Sequence, residues 1–243
     1  MSGTEPGGIE RVVEGTSPDA MFAEHLARYR FAASEVKGHR VLDLACGSGY
    51  GSRFLKDAGA LEVVGVDRDP DIVTYARERY GAPGVTYLAG DALSPPVTGP
   101  FGAVVSFETI EHLDDAEGFC RVCREILRPG GLFIVSTPYR ARMKADGSPV
   151  NPFHRREWRP DEFETLLQRD FAPIILYGQS VALRKRPLQL SRSLARPLSR
   201  ARGFRLGDPE HIFRLPGPGF LGFWDPYPVF LIAVCRSREK PVP

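Results

Sequence analysis

The stretch RVLDLACGSGYGS, residues 40–52, decides the fold. Arg40 to Leu44 is a short, largely apolar run, the size of a buried strand. It leads straight into Gly47, Gly49 and Gly51. A backbone needs glycine where it turns sharply after a strand and where a ligand must come within contact distance. Tyr50, Phe54, Leu55 and Ala58 then share a helical face. The unpaired N–H groups at the start of such a helix favour an anion. By itself the pattern is ambiguous. Gly47, Gly49 and the small Ser52 come close to a dinucleotide fingerprint, and a tight turn without a ligand has the same look.

Outward from that turn, strands and helices alternate. Phe22, His25, Leu26 and Tyr29 recur at helical spacing, which predicts a helix over 19–35, ended by Gly38. Val63 to Asp67 reads as a second strand. Asp69 caps a helix over Asp71 to Tyr80, with Pro70 in its first turn. Val85 to Ala89 and Ala103 to Phe107 are the third and fourth strands. Asp115 to Leu127 is the clearest helix: Phe119, Val122, Cys123, Ile126 and Leu127 fall on one face. Arg128-Pro-Gly-Gly131 stops it, and Leu132 to Thr137 is a fifth strand. This alternation predicts βαβ units on a parallel sheet. Right-handed crossovers then put a ligand crevice at the carboxyl ends of the strands, near the switch point.

Beyond Pro138 the pattern changes. Residues 138–159 read as a long polar loop, and Pro160 to Arg169 as a helix with Phe163, Leu166 and Leu167 inward. Ile174 to Gly178 and Val229 to Cys235 read as two more strands. Between them, residues 184–205 hold eight basic side chains and no acid. Three readings stay open for that run: a solvated basic helix over the crevice, a lid that recruits an anionic acceptor, or a contact with nucleic acid or an anionic membrane. Phe220, Phe223, Trp224 and Tyr227 offer an aromatic wall for a substrate, or plain core.

Composition narrows the class. The 243 residues are 42% hydrophobic and 26% charged, enough for one large core and too apolar for a disordered chain. The net charge of +2 implies neither a nucleic-acid coat nor a membrane-surface protein. Four cysteines are too few for a disulfide scaffold. Cys120 and Cys123 form one CxxC, but a zinc site needs about four ligands and these two fall on a buried helix side; no metal is expected. The first 20 residues have no apolar core and no leading basic cluster, and no run reaches the roughly 18 apolar residues of a spanning helix. A cytoplasmic protein without a membrane span is the expectation.

Three segments carry acids to where the crevice should be. Asp67 ends the second strand, at an offset from Gly47 that suits an acid accepting both ribose hydroxyls of an adenosine. A capping role is its alternative. Gly90-Asp91-Ala92 follows the third strand, where Asp91 can accept from an adenine amine while Ala92 offers its N–H, although Gly-Asp is also an ordinary turn. Ser106-Phe-Glu-Thr-Ile-Glu-His-Leu113 follows the fourth strand.

The order of these pieces resembles a class I S-adenosylmethionine-dependent methyltransferase of the bacterial small-molecule branch. The matching segments are VLDLACGSGYGS, VVGVDRDP, YLAGDA, VVSFETIEHLDD and LRPGGLFIVSTP, spread over residues 38–137. The resemblance implies a Rossmann-like, doubly wound α/β fold with a mostly parallel seven-stranded sheet whose last strand is antiparallel. It implies a flexible arm over 1–18 and one methyltransferase domain over 19–243, with a basic lid inserted at about 181–222. S-adenosylmethionine is the implied cofactor. Gly47, Gly49 and the intervening turn from Cys46 would lie under its methionine part, with Asp43 and the backbone of Ala45 near its amino group. Asp67 would hold the ribose, Arg68 would cover one adenine face, and Asp91 with Ala92 would read the adenine edge. Phe107 and Glu108 would close the far side. Arg68 departs from the usual aliphatic choice, and a guanidinium can stack there instead.

A sulfonium methyl is already activated, so the protein's work is positioning and desolvation. An alcohol acceptor also gains from a general base near neutral pKa. His112, next to Glu111 at the crevice edge, is one candidate, and His154 is the other. For each the alternative is structural, packing for His112 and loop ordering for His154. His25 and His39 read as structural. Asn151-Pro-Phe-His-Arg-Arg-Glu-Trp158 resembles an NPFHxREF segment of methyltransferases from glycan and glycosylation pathways, and Glu24 to Phe31 is similar to the same subgroup. Tyr29 or Arg28 would then close over the cofactor carboxylate. The expected acceptor is a small molecule, sugar-containing or anionic, methylated on oxygen. An RNA or protein methyltransferase and a non-catalytic cofactor-binding protein are the alternatives; nucleic acid is disfavoured because no Asn/Asp-Pro-Pro-Tyr-type motif follows the fourth strand.

Overall fold

The computed structural model describes residue 15 and residues 17–139, 148–179, 212–215 and 229–238. The basic run 184–205, the aromatic cluster at 220–227 and nearly all of the expected arm lie outside these residues. The chain order is α1 (Asp19–Val36), β1 (Arg40–Leu44), α2 (Tyr50–Asp57), β2 (Glu62–Asp67), α3 (Pro70–Tyr80), β3 (Val85–Ala89) and β4 (Phe101–Phe107). A single 3-10 turn (Ile110–His112), α4 (Ala116–Ile126), β5 (Leu127–Pro138), α5 (Pro160–Leu167), β6 (Phe171–Gln179), β7 (Ile212–Arg214) and β8 (Phe230–Ser237) complete it.

One sheet runs through the molecule in the order β3-β2-β1-β4-β5-β8-β6-β7. The five strands from β1 to β5 are parallel, and β8 enters antiparallel between β5 and β6. The expected architecture holds with one addition. The sheet has eight strands, because Ile212–Arg214 pairs antiparallel with Tyr177–Gln179 at the edge. Three residues are too short a run to show alternation, so the sequence carried no signal for β7. The start of β5 also differs from expectation. Leu127 already pairs with Phe101, and the register shift between Phe101 and Ala103 absorbs the Pro-Gly-Gly kink, with Gly130 at φ 69°.

Apolar clusters cover both faces of the sheet. One gathers Phe119, Cys120 and Cys123 of α4 against Phe133, Phe163 and Phe171. The other packs Ala32, Leu55, Val73 and Ala76 of α1, α2 and α3 on Val41, Val63, Val105 and Ile134. Burial pushes the Cys120 thiol up to about 12, so this CxxC is core and not a thiolate pair. Asp69 caps α3 by accepting from Asp71 N–H, and Asp115 caps α4 by accepting from Gly118 N–H. Among the described residues no helix is long and apolar enough to cross a membrane.

Two contacts tie the glycine turn to its surroundings. Gly49 caps α2 in the left-handed region at φ 90°, and a Cβ on it would stand 2.6 Å from Ala76 Cβ and 2.9 Å from Tyr87 Cε1. Tyr29 of α1 donates its hydroxyl to Asp43 of β1 at 3.1 Å, and Ser52 of α2 donates to the same carboxylate at 2.6 Å. Burial raises the Asp43 carboxyl to about 7.

Gly49→Ala should therefore cost roughly 2–4 kcal/mol, from left-handed strain plus overpacking, read as a shift in the urea midpoint. The raised Asp43 carboxyl sets the sign of a pH effect. The folded protein holds a proton that the unfolded chain has already lost, so Asp43 lowers stability as pH climbs from about 4 to about 7. Thermal melts across that window should show Asp43→Asn flattening the fall relative to the unsubstituted protein.

Candidate active site

The strand order reverses between β1 and β4, and the crevice opens at their carboxyl ends as the topology requires. A cavity of about 680 Å³ lies there, within the range of small-molecule sites. Its floor is the β1–α2 turn. Cys46 N–H donates to the Val66 carbonyl, and Gly47 N–H donates to Asp67 Oδ2 at 2.9 Å. Asp67 Oδ1 takes Asp69 N–H at 3.1 Å, so one carboxylate stitches the tips of β1 and β2 together. Gly47 sits at φ 55° with nothing within 4 Å of where a Cβ would stand; that space is the cavity itself.

Ala45 and Glu108, the first residues past β1 and β4, are the two non-glycine residues with positive φ among the described residues, at 63° and 52°. Both line the cavity. Left-handed backbone costs a non-glycine residue about 1–2 kcal/mol, and such strain gathers at functional sites. Glu108 is held by the Ser136 hydroxyl, which donates to its Oε1 at 2.7 Å.

Most residues expected to hold a cofactor share this one wall: Tyr29, Ala45, Cys46, Gly47, Asp67, Arg68, Asp91, Ala92, Phe107 and Glu108. Asp43 and Gly49 stand behind it. Asp43 points beneath the turn to Tyr29 and Ser52, and Gly49 backs onto Tyr87. Asp91 is exposed at the rim, and its Oδ1 accepts Leu93 N–H at 2.7 Å.

Across the cavity the structure brings both candidate bases together. The rings of His112 and His154 meet edge to face with centroids 5.0 Å apart. The loop is brought in by Arg155 N–H, which donates to the Glu111 carbonyl at 2.7 Å. His112 Nδ1 faces the Phe153 carbonyl at 3.0 Å, which puts a proton on Nδ1 and leaves the Nε2 lone pair on the Glu111 side. His154 is engaged at both nitrogens, by Glu157 Oε1 at 2.6 Å and by Asn151 Nδ2 at 2.9 Å, so it orders the NPFH loop. Glu111 is fully buried. Its Oε2 accepts the Thr137 hydroxyl, and burial together with the Glu108 charge pushes its carboxyl well up.

Sequence reasoning missed part of the α1 wall. His25, read as structural, lines the cavity with Nδ1 2.6 Å from the Tyr50 hydroxyl, and burial holds it neutral. Glu24 joins it, and so does Arg28, which the sequence had offered as a group over the cofactor carboxylate. Arg28 is only 2% exposed, donates to Gln179 Oε1 at 2.7 Å and stacks over Phe230. Polar residues one turn apart on an otherwise apolar helix face were the available signal.

The cavity fits a nucleoside cofactor on three counts: the open cradle at Gly47, the carboxylates of Asp67 and Asp91 in its lining, and the aromatic side chains of Tyr29, Tyr50 and Phe107 in the same lining. Comparisons with known proteins agree. Residues 42–135 match a family model described as a methyltransferase domain. A probable S-adenosylmethionine-dependent methyltransferase of Mycolicibacterium smegmatis is 37% identical over 162 residues, covering 65% of this chain and 62% of that protein. The chain thus spans less than two thirds of that relative's length. A ubiquinone biosynthesis O-methyltransferase of Methylocella silvestris is 33% identical over 123 residues, covering 47% of this chain and 45% of that protein. The methyltransferase solved in complex with the Trm112 activator of Haloferax volcanii superposes with a TM-score of 0.64 over 92% of this chain and 93% of that one. At 18% identity, this likeness shows the fold alone. Residues 42–135 thus match a methyltransferase domain, on the fold of solved methyltransferases and in a chain similar to a probable S-adenosylmethionine-dependent methyltransferase.

Proposed function

We propose that this chain transfers a methyl group from S-adenosylmethionine to an oxygen of a small-molecule acceptor, a sugar or a sugar-bearing natural product. The observation that carries the reading is the single cavity, with the Gly47–Asp67 turn on one side and His112 beside Glu111 on the other. Bound against that turn, the cofactor supplies a methyl group already activated by its sulfonium.

The chain's own residues do the rest. Asp67 would accept from the ribose while keeping the turn closed through Gly47 N–H. Arg68, Asp91 and Ala92 would frame the adenine, with Phe107 and Glu108 on the far side. Arg28, a buried cation hydrogen-bonded to Gln179, would meet a carboxylate of the cofactor. Tyr29 and Tyr50 would exclude water from the reacting end. His112 Nε2 is the atom best oriented to draw a proton from an acceptor hydroxyl, because the Phe153 carbonyl fixes its tautomer. Oxygen as the acceptor atom gains support from the relative named as an O-methyltransferase. The saccharide rests on the NPFH loop, which forms the wall at Asn151 to His154.

Calorimetry with S-adenosylhomocysteine tests the cofactor half. Asp67→Ala should abolish binding, and Gly47→Ala should weaken it at least tenfold by filling the cradle while the protein still melts cooperatively. A folded protein that binds no S-adenosylhomocysteine overturns the proposal. His112→Ala should keep that binding and cost about 10²–10⁴ in turnover on an accepted substrate. Methyl-labelled cofactor offered with a broad panel of sugars and glycosides should label oxygen; label found on RNA or protein instead overturns the acceptor class.

A further inference from the structure

From the Glu111–His112–His154 cluster we infer a divalent-cation site of the borderline kind that imidazole prefers, with zinc as its representative. One donor atom from each residue lies within 4.8 Å of the other two. All three residues line the acceptor side of the cavity. Composition predicted no metal, because the only spacing signal was the buried cysteine pair. Folding assembles a different set, one carboxylate and two imidazoles, from the 3-10 turn and the NPFH loop.

Two further observations point to a ligand. The first is Glu111 Oε1, which is fully buried and has no hydrogen-bond partner. Its sister oxygen Oε2 accepts from Thr137, so the carboxylate is held in place with Oε1 left to take a ligand. An unpartnered buried carboxylate oxygen is costly, and a cation removes that cost. It stands 3.9 Å from His112 Nε2. Two donors bound tetrahedrally to one ion at about 2.1 Å sit about 3.4 Å apart, so a closure of about half an ångström completes the pair.

The second observation is the outer shell. Metal-ligating histidines donate their other ring N–H to a carbonyl or a carboxylate, which fixes the ring and directs the lone pair at the ion. Both imidazoles have that partner. His112 Nδ1 meets the Phe153 carbonyl at 3.0 Å, and His154 Nδ1 meets Glu157 Oε1 at 2.6 Å. Each ring is therefore set with its lone pair on Nε2. Asn151 Nδ2 occupies the His154 lone pair at 2.9 Å, and a cation displaces that one amide.

The proposal deepens the acceptor half of the function above, and metal binding can be measured apart from it. An ion held by three protein donors keeps coordination positions open to the cavity. An acceptor hydroxyl taken there forms an oxygen–metal bond and loses its proton to solvent more readily, because the ion lowers the hydroxyl pKa. His112 then serves as a ligand in the loaded protein and as a base only in the stripped one.

The test uses the full chain, stripped with chelator and dialysed against zinc alone, with bound metal counted by plasma mass spectrometry. One equivalent should remain. Cobalt in its place should give the visible absorption of a four- or five-coordinate ion without a thiolate band. Glu111→Gln, His112→Gln and His154→Gln should each lower zinc affinity at least tenfold, and Glu157→Gln should lower it about 10–100-fold through the outer shell. Magnesium, which prefers oxygen donors, should not compete. Thermal melts and S-adenosylhomocysteine binding in chelator show whether each variant is folded and whether the cofactor half stands by itself. A folded protein that retains no zinc overturns the site, as does zinc or a thiolate band that survives all three ligand substitutions. Cofactor binding without zinc leaves the methyltransferase reading intact and removes only the metal.

Discussion

The carboxylate of Asp67 holds the structure's working end together. It accepts Gly47 N–H with one oxygen and Asp69 N–H with the other, so the turn after β1 and the turn after β2 become one rigid unit. Without it, two adjacent strand ends would present loose amides to the cavity. With it, the glycine backbone is held in the left-handed conformation that leaves its outer face open. The same acid is thus a structural tie that also lines the cavity where the cofactor is proposed to bind. The purely capping role belongs to Asp69.

Around that unit the site is built in two halves with different physics. The half proposed for the cofactor is made at strand ends, and its left-handed backbone is concentrated at Ala45 and Glu108. The acceptor half is made by a loop folding back onto the 3-10 turn after β4, through the Arg155 and Arg156 amides on the Glu111 carbonyl. It buries a carboxyl: Glu111 has Thr137 on one oxygen and no hydrogen-bond partner on the other. Helix α1 closes the third side, pinned by Tyr29 to Asp43 and by Arg28 and Glu24 to Gln179 of β6. A helix tied to β1 and, across three strands, to β6 positions aromatic and charged side chains over the cavity without a domain of its own.

The alternation of apolar runs and glycine breaks was enough to read β1 to β5, α3 and α4, because the apolar pattern of each is long enough to show in its own residues. That the proposed cofactor residues would share one crevice was legible from the topology. Gly47, Asp67 and Asp91 sit at strand ends, and parallel topology brings all strand ends of one sheet to one edge. Strand β7 was not legible, since three residues gain their conformation from pairing with β6 and not from their own pattern. Nor was the cavity role of His25, whose position on α1 looked like core spacing until the helix was seen to face the crevice.

By itself the sequence determined the layers, the switch point and which acids would face it, because backbone hydrogen bonding and hydrophobic periodicity are short-range demands. Tertiary structure alone decided that His112 and His154 are neighbours, that Asp43 is a buried strut behind the wall, and that a bare carboxylate oxygen of Glu111 faces an imidazole nitrogen. Those facts depend on where a long loop returns. Its return is set by a few amide contacts across the molecule, which no local pattern encodes.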